Sequence, residues 1–192
     1  MMKTVFLMNG KRKKKRRKKN MLEPTFTDYG LDFGYLEPRD VTDQIVIHHT
    51  GNPTDDDLSA EEIHESHLAQ GWSGIGYHFV IRKDGTIELG RPMDTIGAHA
   101  YGENSHTIGI HVCGNFDIGD PTDAQIESCS VLVQWLALTY GLEINDATVV
   151  GHCDLMATAC PGESLYSKLG KIRGKSIWYE QNYNEDGEYI GG

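Results

Sequence analysis

The chain has no apolar run approaching the roughly 20 residues that a helix needs to cross a bilayer. No transmembrane segment is therefore expected. Its four cysteines, Cys113, Cys129, Cys153 and Cys160, include no Cys-x-x-Cys pair. The spacing supports no two-bridge framework, and none is expected in a reduced cytoplasm. Cys113, in a strand pattern, and Cys129, in a helix pattern, are expected to be buried as small apolar residues. No internal repeat is visible. Basic charge is scarce outside one stretch: of 18 Lys and Arg, ten lie at or before Lys19. The remaining eight face all 28 acidic residues, so residues 20–192 carry a formal charge of −20. A body this acidic argues against nucleic-acid binding by the folded domain.

What is present begins with Lys11–Lys19, an unbroken run of nine basic residues. Residues 1–40 are expected to form a basic, disordered N-terminal tail. The run is a candidate tether for nucleic acid, a membrane surface or wall polyanions. The apolar patch Val5–Met8 precedes the charges, the reverse of a secretory signal, so no signal peptide is expected. Met21, just after the run, is a candidate native start. Residues 41–175 are expected to be the folded domain, and 176–192 a polar C-terminal tail.

Within the domain, strands and helices alternate. Val41–His49 reads as a buried strand. Ser59 with Glu62 forms a capping box ahead of a helix over 60–70 that Gly71 ends. Tyr77–Arg82, a Lys83–Thr86 turn and Ile87–Leu89 read as a hairpin. Ile108–Val112 is a further strand. Thr122–Tyr140 is the longest helix pattern, closed by Gly141. Thr148–Val150 is a last short strand, and Glu163–Lys171 a final helix. The fold expected is α/β: one domain with a central mixed sheet flanked by helices.

The chemistry concentrates in Gly151–Gly162. His152 and Cys160 stand eight residues apart on a segment with no helical period. Imidazole and thiolate are preferred zinc ligands. Pro161 disfavours helix at Cys160 and sets it on a rigid turn. A third ligand must come from elsewhere, and the pair His48-His49 at the end of the first strand supplies candidates; spacing does not choose between them. Three protein ligands leave the fourth zinc position open for water, the catalytic arrangement. Such a site polarises water and a carbonyl, which suits amide hydrolysis. Tyr77, after Gly74-Ile75-Gly76, could donate to an oxyanion or simply pack in the core. Cys153 is not read as a ligand, because adjacent residues rarely reach one metal. His64 and His67 read as ordinary helix-face residues.

These residues sit in motifs that resemble a known family. Ile45–Thr50, Gly71–Phe79, Asp84–Thr86, Gly97–Ala100, Asn104–Ile110, Gly151-His152 and Cys160-Pro161 are similar, in order and spacing, to the zinc-dependent N-acetylmuramoyl-L-alanine amidases. That family includes the phage lysozyme-type amidases and the peptidoglycan recognition proteins, and the resemblance covers roughly residues 42–170. It implies His48, His152 and Cys160 as ligands of Zn2+ and Tyr77 as a catalytic residue. It implies peptidoglycan as partner and the amide between N-acetylmuramic acid and L-alanine as the bond cut. Trp72, Arg91, His99 and Asn104 are the groove residues it suggests. Thr158 stands where the phage enzymes carry a lysine, so oxyanion stabilisation would lean on zinc and Tyr77. Cys160 separates the chain from the branch with an aspartate ligand. The absence of cysteine near the first helix favours a microbial or phage enzyme, acting on the wall as a monomer after synthesis in the cytoplasm. A binding module of the same fold, holding muropeptide without cutting it, is the rival expectation. A structural zinc domain is disfavoured, since it wants a fourth protein ligand.

Overall fold

The computed structural model describes residues 22–184 and 186–191. The basic run, the Val5–Met8 patch and the candidate start at Met21 lie outside the described residues. Six strands form one sheet: β1 (Phe26–Thr27), β2 (Gln44–His49), β3 (Phe79–Ile81), β4 (Ile87–Leu89), β5 (Thr107–Val112) and β6 (Val149–Gly151). Three helices accompany them: α1 (Ala60–Ala69), α2 (Asp123–Tyr140) and α3 (Glu163–Asn182). The sheet order is β1-β4-β3-β5-β2-β6. β3, β5, β2 and β6 pair in parallel, and β3 pairs antiparallel with β4, so the sheet is mixed as expected.

The central strands β2 and β5 are buried almost end to end, as parallel strands covered on both faces must be. The two faces differ in kind. On one, Ile45, Ile47, Phe79, Ile81, Ile108 and Ile110 pack with Leu132 and Leu136 of α2 and Leu165 and Leu169 of α3. On the other, a smaller cluster joins Val80 and Cys113 to Ala60 and Ile63 of α1 and to Ile75. Side chains alternate between faces along a strand. The second face therefore receives His48 next to the Val80 cluster, while His49 turns back toward Phe116. The weaker apolar content of that face is what leaves room for polar side chains.

The helix ends follow local chemistry. Ser59 and Glu62 form the reciprocal box at α1, and Thr122 and Gln125 form another at α2. Gly141 closes α2 with φ of 72°, a conformation that favours glycine.

Both expected domain edges need correction. The segment 22–40 is not a loose tail. Phe26 packs its ring 5.6 Å from Phe79 and 5.3 Å from Trp135, and β1 pairs in parallel with β4. Arg39 is buried and donates to the carbonyls of Thr95 at 2.8 Å and Thr107 at 3.1 Å. A two-residue strand has no hydrophobic period, so one Phe and one Arg carry an attachment that periodicity cannot reveal. At the other end, α3 continues to Asn182 rather than stopping near Lys171. Leu165, Leu169, Ile172, Ser176 and Tyr179 form its buried stripe. Ser176 breaks the apolar pattern but belongs to the stripe: its hydroxyl donates to the carbonyl of Ser130 at 2.8 Å, where α2 and α3 approach.

Phe26→Ala is expected to lower stability by about 2 kcal/mol, below the usual loss for a fully buried Phe because this ring is half-buried. Urea unfolding of the full chain measures it; an unchanged midpoint would mean that β1 contributes nothing to the core.

Candidate metal centre and groove

The site starts from strand register. In the parallel pairing of β2 with β6, Ile47 lies opposite Gly151. The next residue on each strand is a histidine, His48 and His152, and their ring centroids are 4.4 Å apart. Gly151 must be small: a Cβ there would come within 2.8 Å of the Tyr166 ring and 3.0 Å of Pro161. After it the chain makes a short 3-10 turn, His152–Asp154, and loops back to Cys160. The loop is stitched by Cys153 N–H to the Cys160 carbonyl at 2.8 Å and by Gly151 N–H to Asp154 at 2.8 Å. The Cys160 sulfur accepts from the His49 N–H at 3.4 Å and lies 3.6 Å from Nδ1 of His48.

His48, His152 and Cys160 thus bring one ligand atom each to within 4.8 Å of one another. Among the described residues they are the one trio of this kind. His48 is 1% exposed. Burial first, then the neighbouring histidines, holds its pKa well below the usual histidine range. Burial lowers His152 as well and raises the Cys160 thiol to about 12. All three donors are therefore neutral without a cation, and imidazole nitrogens are then free to ligate. Nε2 of His152 is buried with no hydrogen-bond partner, a costly state that ligation of this ring can relieve. Two nitrogens and one sulfur suit a borderline-soft divalent ion such as zinc.

Alternation along β2 separates the two histidines of the pair. His49 points to the opposite face, where its Nδ1 accepts from Phe116 N–H at 3.2 Å.

Tyr77 stands beside the trio, its ring 5.2 Å from His48. Burial and then the nearby Cys160 raise its pKa above the ordinary phenol value, so it stays a neutral O–H donor. Its backbone approach depends on Gly76, where a Cβ would meet the Ala98 carbonyl at 2.1 Å. Two histidines expected only to decorate α1 hold this segment. His64 accepts from Ile75 N–H at 3.2 Å and His67 from Gly76 N–H at 3.1 Å. Their shared helix face with Ile63 was the available signal. His111 is a further residue the sequence left as plain strand. It is buried beneath Tyr77 with rings 4.7 Å apart, and burial lowers its pKa to about 3.

A groove of about 370 Å³ opens beside His152, lined by Trp72, Ala98, His99, Tyr101, Asn104 and Met156. A larger cavity of about 630 Å³ lies at the β1–β4 edge against Leu22, Pro24 and Ile87, with none of the donors in its wall. The donor trio adjoins the smaller one through His152. Of the expected groove residues, Trp72, His99 and Asn104 line it. Asn104 shapes its wall, its Oδ1 accepting from the N–H groups of His99 and Ala100, both at 2.9 Å. Arg91 does not line it. It is buried, and its guanidinium donates to the carbonyls of Ile75 at 2.8 Å, Ile96 at 2.9 Å and Gly74 at 3.4 Å. It braces the glycine segment before Tyr77 instead of facing a ligand. Thr158 stays on the ligand loop, its Oγ1 accepting from Cys160 N–H at 3.2 Å.

Fold and donor set define a class: an α/β protein whose parallel strands end in three donors placed so that they could hold a metal ion, with an adjoining groove. The family follows from comparison. A family model described as N-acetylmuramoyl-L-alanine amidase matches residues 38–163, and the chain belongs to that family. It is 34% identical to the endolysin of Klebsiella phage KP32 over 149 residues, 75% of this chain and 89% of that protein. It is 37% identical to a peptidoglycan-recognition protein of Drosophila melanogaster over 132 residues, 66% of this chain and 72% of that protein. Among solved structures, the N-acetylmuramoyl-L-alanine amidase LysC from Clostridium intestinale URNW superposes with a TM-score of 0.72 at 35% identity. The match covers 80% of this chain and 97% of that one.

One equivalent of zinc added to metal-free protein is expected to raise Tm by several degrees, since an ion bound only by the folded state stabilises it. Differential scanning fluorimetry of His152→Ala is expected to show no such rise; an equal rise would remove His152 from the site.

Proposed function

We propose that the chain is a zinc-dependent amidase that hydrolyses the bond between N-acetylmuramic acid and the L-alanine of the peptidoglycan stem peptide. The observation that carries this is the trio His48, His152 and Cys160, of which His152 lines the groove. Membership of the amidase family supports the reaction class. The phage endolysin among the relatives supports a role as a wall-lytic enzyme reaching peptidoglycan after synthesis in the cytoplasm. All three ligands come from one chain, so no second copy is needed to complete the site, and we take the monomer as the working form.

Each residue then has a task. His48, His152 and Cys160 would hold the zinc, which when bound would supply Lewis acidity at the groove. Tyr77 donates its phenolic proton in a hydrogen bond to the oxygen that gains charge when the amide carbon becomes tetrahedral. Its raised pKa keeps that proton in place, and its burial keeps water from competing for it. Thr158 supplies no charge; its task is to hold the Cys160 loop by accepting the Cys160 N–H. Trp72, 42% exposed, and Tyr101, 93% exposed, offer flat faces at the rim of the groove to sugar and peptide. Asn104 keeps the wall between them in shape.

Purified peptidoglycan incubated with the zinc-loaded protein is expected to release free L-alanine amino termini. Cys160→Ala should abolish release. Tyr77→Phe should lower kcat about 10²- to 10³-fold, the usual cost of one oxyanion donor. Binding to walls without release, by fully loaded protein, would make the chain a recognition module instead.

A further inference from the structure

The resemblance suggests His99 as a residue that meets substrate, but its surroundings give it another task. Its ring sits in a slot made by two glycines. A Cβ on Gly109 would lie 2.6 Å from His99 Cγ, and one on Gly97 would lie 2.5 Å from its Cδ2. His78 closes the slot with its ring 5.6 Å away, edge to face. Asn104 fixes the backbone on either side through the N–H groups of His99 and Ala100. The imidazole is thus held in one orientation from three sides.

In that orientation both ring nitrogens are engaged. Nδ1 lies 3.0 Å from Nε2 of His48. Nε2 lies 3.5 Å from the hydroxyl of Thr107, which itself donates to the Glu103 carbonyl at 2.8 Å. Proton directions follow from that last bond. Thr107 has given its proton to a carbonyl, so its oxygen can only accept from His99 Nε2–H. A neutral His99 with its proton on Nε2 has a bare Nδ1, which accepts from His48 Nε2–H. His48 is left with a bare Nδ1, the atom that faces the Cys160 sulfur. Every donor in the chain His48–His99–Thr107–Glu103 has one acceptor, and the series ends on a backbone oxygen.

We propose that His99 is a positioning residue for His48, accepting its Nε2–H so that the ring is fixed with Nδ1 as the metal-binding atom. The inference rests on the zinc-amidase reading above. Histidine ligands need such a partner for the second nitrogen, and losing it costs about 10- to 100-fold in metal affinity. Here the partner is another neutral imidazole, and no polar atom of His99 remains for substrate.

Zinc affinity and steady-state kinetics of the same variants separate the two roles. His99→Leu is expected to weaken zinc binding about 10- to 100-fold, read by competition with a chromophoric chelator. Its KM at saturating zinc should match the wild type. His99→Asn, whose amide oxygen can replace Nδ1 as acceptor, should recover most of the zinc affinity. Gly109→Ala, which keeps the His99 side chain but fills the slot that orients its ring, should weaken zinc binding in the same direction. Unchanged zinc affinity in His99→Leu together with a raised KM would overturn the proposal and return His99 to substrate binding. A wild-type chain that bound no zinc would overturn both this proposal and the reading beneath it.

Discussion

The site depends on one parallel pairing. β6 lies beside β2 with Ile47 opposite Gly151, so the residues that follow, His48 and His152, emerge side by side from one end of the sheet. A shift of one residue would send His48 to the opposite face, because side chains alternate along a strand. The register is held by what lies behind it: Ile45, Ile47 and Val149 are all buried in the apolar layer under α2 and α3. The packing of one face therefore fixes the geometry of the other. Gly151 is the hinge of this arrangement, with Tyr166 and Pro161 occupying the space that a side chain would need.

The second face accepts a cost for this. It buries His48, His78, His99 and His111, all of them polar and all kept neutral by desolvation. Buried polar groups are tolerable when paired, and most of these are. His78 Nδ1 accepts from Gly109 N–H at 3.0 Å, and His111 Nε2 lies 3.1 Å from the Thr50 hydroxyl. The exceptions are informative. The atoms left without a partner include Nε2 of His152 and Nδ1 of His111, on the ligand loop and beneath Tyr77. Departures from full satisfaction tend to collect where function requires them.

Much of this was legible in the chain itself. The capping boxes at Ser59 and Thr122 announced α1 and α2 because their chemistry is local. The Ile45–His49 run announced a buried strand by composition, and His152 and Cys160 pointed by residue type to a candidate metal site. Choosing His48 over His49 from residues alone required knowing which face of β2 held the site, and that is a tertiary fact. Arg91, which the resemblance suggested for the groove, is buried against the carbonyls of Gly74, Ile75 and Ile96, a placement that is likewise tertiary. The far half of α3 was hidden because Ser176 looks polar while packing on Ser130. β1 was hidden because two residues show no period. His64 and His67 read only as ordinary helix-face residues because their partners, the N–H groups of Ile75 and Gly76, lie beyond the helix.

X-ray absorption at the zinc edge on the loaded, full-length protein examines the arrangement at the metal itself. Two nitrogen scatterers at about 2.0–2.1 Å, one sulfur at about 2.3 Å and one further light atom are expected for two histidines, Cys160 and an open position. Two sulfurs would bring Cys153 into the site, and no sulfur would remove Cys160; either result would contradict a three-donor centre built by the β2–β6 register.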